Sequence, residues 1–103
     1  MNRFSRCELV GRYYNQGPRV VNGTVLQFQR DPTNSHDPCA IRVTLVDQPD
    51  QLIGYLPRNV AQRLAPYIDS NMYAVEHVVA RRRPGSTSIQ LIFLVLEMPG
   101  AYA

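Results

Sequence analysis

Ile41-Arg42-Val43-Thr44-Leu45, then Val46-Asp47-Gln48-Pro49-Asp50-Gln51, then Leu52-Ile53-Gly54-Tyr55-Leu56-Pro57-Arg58 is the stretch that decides the fold. Ile41, Val43 and Leu45 alternate with Arg42 and Thr44, the period of two that turns one face of a strand to a core and the other to water. The polar residues around Pro49 reverse the chain, so residues 52–56 return as the second arm of a hairpin. Pro57 then suits the first position of a helix, where its missing N–H is not needed. Val60, Ala61, Leu64, Ala65 and Ile68 follow at spacings of three and four, an apolar stripe that lies against the sheet or closes one end of it. Pro66 interrupts the stripe. A proline in a helix interior costs about 3 kcal/mol, which predicts a break near Ala65 and a separate short turn through Asp69.

Outward from this stretch the period stays at two. Residues 7–11 read as a first strand and residues 17–23 as a loop containing Gly17-Pro18 and Asn22-Gly23. Residues 24–30 form a strand with Leu26 and Phe28 on one face and Gln27 and Gln29 on the other. Beyond the helix, residues 73–81 are a strand, 82–88 an exposed hairpin loop, 89–97 a final buried strand and 98–103 a frayed tail. About six short strands with one helix inserted between the fourth and fifth predict a mainly β fold, a small OB-like or modified antiparallel β-barrel that is closed or partly open. Residues 1–103 make one domain with a core over about 7–97.

Composition narrows the class. Hydrophobic residues are 45% and charged residues 18% of 103, too apolar for a disordered chain. The longest apolar run, residues 91–96, is strand-sized and far below the roughly 18 residues of a membrane span. The basic start Met1-Asn2-Arg3-Phe4-Ser5-Arg6 lacks the apolar core of a secretory signal. The expectation is a protein inside a cell, nuclear in a eukaryote and cytoplasmic in a bacterium, with no membrane partner. Cys7 and Cys39 are the only cysteines; two reduced thiols are expected.

The formal charge is +3, and all eleven basic residues are arginine. Guanidinium forks match phosphate and stack on bases, although uniform arginine usage also follows from genome composition. Adjacent Tyr13 and Tyr14 point to opposite sides of an extended segment, so one ring is available for stacking, worth about 1–3 kcal/mol per base, beside Arg12 for a phosphate. Both rings can equally pack at a barrel rim. Asn34-Ser35-His36-Asp37-Pro38 is a turn on composition. Its Asp37 serves the turn or accepts a hydrogen bond from a sugar hydroxyl; His36 adds a flat ring. Arg58, at the start of the helix, is the best-placed single phosphate contact because the backbone N–H groups there add positive potential. Arg81-Arg82-Arg83 is a solvated loop or a source of counterion release. His36, Cys39, Cys7 and His77 lack zinc-ligand spacing, no glycine-rich phosphate loop is present, and no nucleophile is marked for activation. No cofactor, no metal and no catalysis are expected.

Arg12-Tyr13-Tyr14, the run Arg30-Asp31-Pro32-Thr33-Asn34-Ser35-His36-Asp37 with Ala40-Ile41-Arg42-Val43, and Ile53-Gly54-Tyr55-Leu56-Pro57-Arg58 occur in an order that resembles the HIRAN domain, a β-barrel module attached to DNA-repair helicases and nucleases and also found in bacteria. The resemblance covers residues 7–68 well and the last two strands loosely. It implies a modified OB barrel that captures the unpaired 3′ end of a DNA strand. The implied roles are terminal-base stacking by Tyr13 with the ring at His36, 3′-hydroxyl recognition by Asp37, and backbone contacts by Arg12, Tyr55 and Arg58, with Tyr14 alongside. The sequence departs from the family pattern at His36, where well-studied end binders have tyrosine, at Ser35 for proline, and at Pro38-Cys39 for a polar or basic residue and asparagine. The leading expectation is a non-catalytic module for single-stranded DNA with a free 3′-hydroxyl, acting in fork remodelling or repair, alone or fused to a helicase or nuclease. The alternatives are a protein-interaction barrel that has lost the end pocket, and a binder of RNA ends. An end pocket of this kind neutralises about two or three phosphates, and its affinity falls only gently with salt.

Overall fold

A computed structural model of the chain describes residues 3–10, 20–82, 85 and 88–97. Its elements are β1 (Arg3–Glu8), β2 (Val25–Arg30), β3 (Ile41–Leu45), β4 (Leu52–Tyr55), α1 (Arg58–Asp69), β5 (Tyr73–Arg81) and β6 (Gln90–Glu97). The six strands form one antiparallel sheet in the order β1-β6-β5-β2-β3-β4. Its two edges meet beyond β1. Val10 and Tyr55 exchange both backbone hydrogen bonds, at 2.9 and 2.8 Å, and the Leu9 N–H donates to the Ile89 carbonyl at 2.9 Å. That bridge curls the sheet into the mainly β, OB-like barrel that the strand periods predict. Register shifts at Val43/Thr44 in β3 and between Glu76 and Val79 in β5 bend the strands to make the curl.

Alternation sets the core. Leu26, Ile41, Val43, Ile53, Leu91 and Phe93 are buried, and Phe28 meets the Phe93 ring edge-on at 5.0 Å. Val20, inside the expected loop over residues 17–23, is also buried in this core. Thr44 departs from its expected polar position: it is fully buried, and its Oγ1 has no hydrogen-bond partner among the described residues.

Two elements differ from their predicted form. The first strand runs over Arg3–Glu8 rather than residues 7–11, because β6 offers a long edge whose backbone pairs from Val95 to Gln90 with any side chains opposite. The helix is unbroken from Arg58 to Asp69, with Pro66 inside it and Pro57 as its N-cap rather than its first residue. Pro66 removes one intrahelical bond, and its φ suits a helix. Burial of Ala61 and Ala65, with Val60, Leu64 and Ile68 packed on the core, outweighs that loss. The end of α1 is then secured when Ser70 donates both its N–H and its hydroxyl to the Pro66 carbonyl. No helix among the described residues is long and apolar enough to cross a membrane.

Candidate nucleic-acid interface

The turn between β2 and β3 is built by its own side chains. The Asn34 carboxamide oxygen accepts the N–H groups of His36 and Asp37 at 2.9 and 3.1 Å, and Asp37 Oδ1 accepts the Cys39 N–H at 3.0 Å. These are the local side-chain to backbone bonds that asparagine and aspartate offer in place of a ladder. Backbone bonds from Ala40 N–H to the Asp37 carbonyl and from Asp31 N–H to the Ala40 carbonyl close the turn's base.

Both ends of α1 grip this turn. At the helix start, Arg58 Nη2 donates to the His36 carbonyl at 3.0 Å, and its Nε lies 3.7 Å from Asp37 Oδ2. At the helix end, Arg30 forms a fork with Asp69, Nε to Oδ1 at 2.8 Å and Nη2 to Oδ2 at 3.0 Å. Arg30 also donates to the carbonyls of Ala40 and Pro38 at 2.8 and 3.0 Å. Hydrogen bonding from Arg30 holds the Asp69 carboxyl below its ordinary range, and the same bond raises the Arg30 guanidinium.

His36 and Asp37, neighbours in the turn, and Arg58, 22 residues beyond His36, therefore stand together. Asp37 is mostly shielded, its side chain 19% exposed, whereas Arg58 is 65% exposed. One carboxylate oxygen is committed to the turn. The other faces Arg58 and retains lone pairs for a hydroxyl, while the Arg58 fork has donors beyond the His36 carbonyl. Tyr55 is half-buried at the end of β4, three residues before Arg58, with its backbone tied to Val10. Arg12, Tyr13 and Tyr14 lie outside the described residues, as does Arg83 of the arginine run. The described part of that hairpin includes Gly85 at φ +79°, which a left-handed turn position favours, and an Arg82 N–H bonded to the Asn22 side chain.

Arg30 and Asp69 are structural parts of this site that sequence reasoning did not assign. Arg30 opens the turn signature and so carried a signal; Asp69, 39 residues away, carried none. Cys7 and Cys39 are both free thiols. Burial pushes the Cys7 thiol up to about 11, which leaves it protonated and a poor nucleophile at neutral pH. Among the described residues no three His, Cys, Asp or Glu side chains gather as a metal site.

With this geometry in hand, the chain can be set beside known proteins. Residues 3–96 match the family pattern of the HIRAN domain. The chain is 36% identical over 72 residues to the Fanconi-associated nuclease 1 homolog of Oryza sativa subsp. japonica, covering 69% of this chain and 8% of that protein. It is 35% identical over 74 residues to the helicase-like transcription factor of Oryctolagus cuniculus, covering 72% of this chain and 7% of that protein. The crystal structure of the HIRAN domain of human HLTF superposes with a TM-score of 0.77 at 26% identity, over 95% of this chain and 78% of that one. The chain thus spans less than a tenth of these two relatives, and the part it shares with them is a binding domain, not an enzyme. A barrel of this order, closed at Tyr55, with the signature turn clamped by α1, belongs to the HIRAN-domain family.

Proposed function

We propose that this chain binds single-stranded DNA at its 3′ end, with Asp37 accepting the terminal hydroxyl and Arg58 contacting the adjoining phosphate. The observation that carries this reading is the pairing of a shielded carboxylate with an exposed guanidinium 3.7 Å away. A carboxylate accepts from a hydroxyl and repels a phosphate, so the pair distinguishes a free end from the interior of a strand. The helix start strengthens the phosphate side. No side chain among the described residues caps it, and its first turn holds no acidic residue, so N–H groups and the positive end of the helix dipole remain for an anion. Stacking of the terminal base falls to Tyr13 with His36, and Arg12, Tyr14 and Tyr55 complete the contact set. In a longer protein, the module would deliver a helicase or nuclease to strand ends.

The test compares one short strand carrying a 3′-hydroxyl with the same strand carrying a 3′-phosphate. The phosphate removes a hydrogen bond and sets two anions together, so it weakens binding by about 1.5–3 kcal/mol. Asp37→Ala lowers affinity for the hydroxyl strand and narrows the difference between the ends. Tyr13→Ala weakens both ligands alike, because stacking ignores the end group. Equal binding of the two strands by the wild type, or an undiminished preference in Asp37→Ala, would reduce Asp37 to a turn residue and end the proposal.

A further inference from the structure

A second feature lies away from the signature turn. The inner face of β1 should continue the core, since Arg3, Ser5 and Cys7 stand directly opposite Val95, Phe93 and Leu91, and opposed residues of an antiparallel pair share a face. Cys7 does pack on the core. Arg3 and Ser5 instead border a solvent-open cleft of about 720 Å³ between this end of the sheet and α1, a size typical of ligand sites. Buried Phe93 and Val95 contribute to its apolar part, and Tyr67 from α1 stacks on Tyr73 from β5 beside it, centroids 4.7 Å apart. Exposed Arg3, Arg6 and Arg63 rim it. None of the three has an ion-pair partner among the described residues.

Three uncompensated guanidinium groups around an aromatic and apolar surface make a site for an anionic chain with flat groups, which is the pattern of single-strand grooves. Its position on α1 matters. Arg58, Gln62 and Pro66 are spaced four apart, so they form one row along the helix about 12 Å long, and Gln62 and Pro66 line the cleft. The row begins at the proposed end site and finishes at the cleft. We infer that the cleft is a second nucleic-acid subsite, which holds the single strand upstream of its 3′ end through phosphate contacts to Arg3, Arg6 and Arg63 and base contact with Tyr67. The inference rests on the end-binding reading for its strand polarity.

The experiment uses 3′-hydroxyl strands of about four and about twelve nucleotides, the span of site sizes for one such barrel. The longer strand is expected to bind more tightly and with a salt slope steeper by about 2, the value for three further single-strand phosphates. Arg3→Glu with Arg63→Glu should cost the longer strand about tenfold or more and leave the shorter strand unchanged. Tyr67→Ala should cost the longer strand about tenfold. In all these variants the preference for hydroxyl over phosphate ends should survive. Loss of that preference in the wild type, with the length effect intact, overturns the end reading and leaves the cleft standing. Equal affinity for the two lengths, or a length effect that survives the double reversal, overturns the cleft. So does binding of a glutamate-rich peptide through Arg3 and Arg63 with no length effect for DNA, since the cleft would then serve a protein.

Discussion

Thr44 carries a hydroxyl into the barrel wall with nothing among the described residues to receive it. A buried hydroxyl without a partner costs about 1–3 kcal/mol of lost hydration, and valine fills nearly the same volume. Thr44→Val should therefore stabilise the fold by about 1 kcal/mol, seen as a higher urea midpoint at unchanged slope; a lower midpoint would mean that the hydroxyl is bonded in the folded protein. Alternation alone assigned Thr44 to the wet face, because period-two reasoning has no term for a bulge, and the register shifts at this residue. Asp37 shows the opposite case. Its composition left open a turn role and an acceptor role, and its two oxygens are divided accordingly, one on the Cys39 N–H and one towards Arg58. What the sequence could not disclose was that Arg58 would be the neighbour. That contact depends on α1 lying along the turn.

Elements were legible where the side chains themselves chose the structure. Apart from the bulge at Thr44 in β3, strands β2 to β6 follow their periods because each has an inner face that must be covered. β1 does not, since Arg3-Phe4-Ser5-Arg6 has no apolar alternation and is recruited by the edge of β6. The unbroken helix has a similar cause: the local cost of Pro66 is visible in sequence, and the tertiary burial that offsets it is not. Closure of the barrel between the β1 extension and β4 depends on one residue that sequence reading had only as part of a signature. A Cβ at Gly54 would stand 2.7 Å from the Val10 carbonyl oxygen and 3.0 Å from Leu9 Cδ1. That carbonyl cannot retreat without giving up its bond from the Tyr55 N–H. Gly54→Ala is thus expected to cost about 1–3 kcal/mol by overpacking. Hydrogen exchange locates the damage, with the amides of Val10 and Tyr55 losing protection before those of β5 and β6. Wild-type protection at Val10 and Tyr55 in the variant would show that the seam has room.

For the molecule as a whole, Arg30 joins the signature turn to the far end of α1, as Arg58 joins it to the near end. Asp69 is held below its ordinary 3.8 by the hydrogen bond from Arg30, so the folded chain keeps this carboxylate charged where the unfolded chain takes up a proton. The resulting stability is present above about pH 4 and vanishes as pH falls through the lower folded-state value. The Asp69 side chain is 53% exposed, so solvent screening keeps the ion pair to about 0.2–1 kcal/mol. Asp69→Asn should lose that amount at neutral pH, and its difference from wild type should close on acidification below about pH 4. Arg30→Ala gives up the carbonyls of Pro38 and Ala40 as well, and should cost about 2–3 kcal/mol. It tests more than stability. Arg30 anchors the backbone that carries Asp37 yet has no place in the proposed contact set. Under conditions where the variant remains folded, Arg30→Ala should reduce the preference for a 3′-hydroxyl over a 3′-phosphate with Asp37 intact. Asp69→Asn should largely keep the preference, because Arg30 still holds the two carbonyls. If Arg30→Ala folds and discriminates the two ends as the wild type does, the turn needs no clamp, and the coupling of α1 to the end site through Arg30 is wrong.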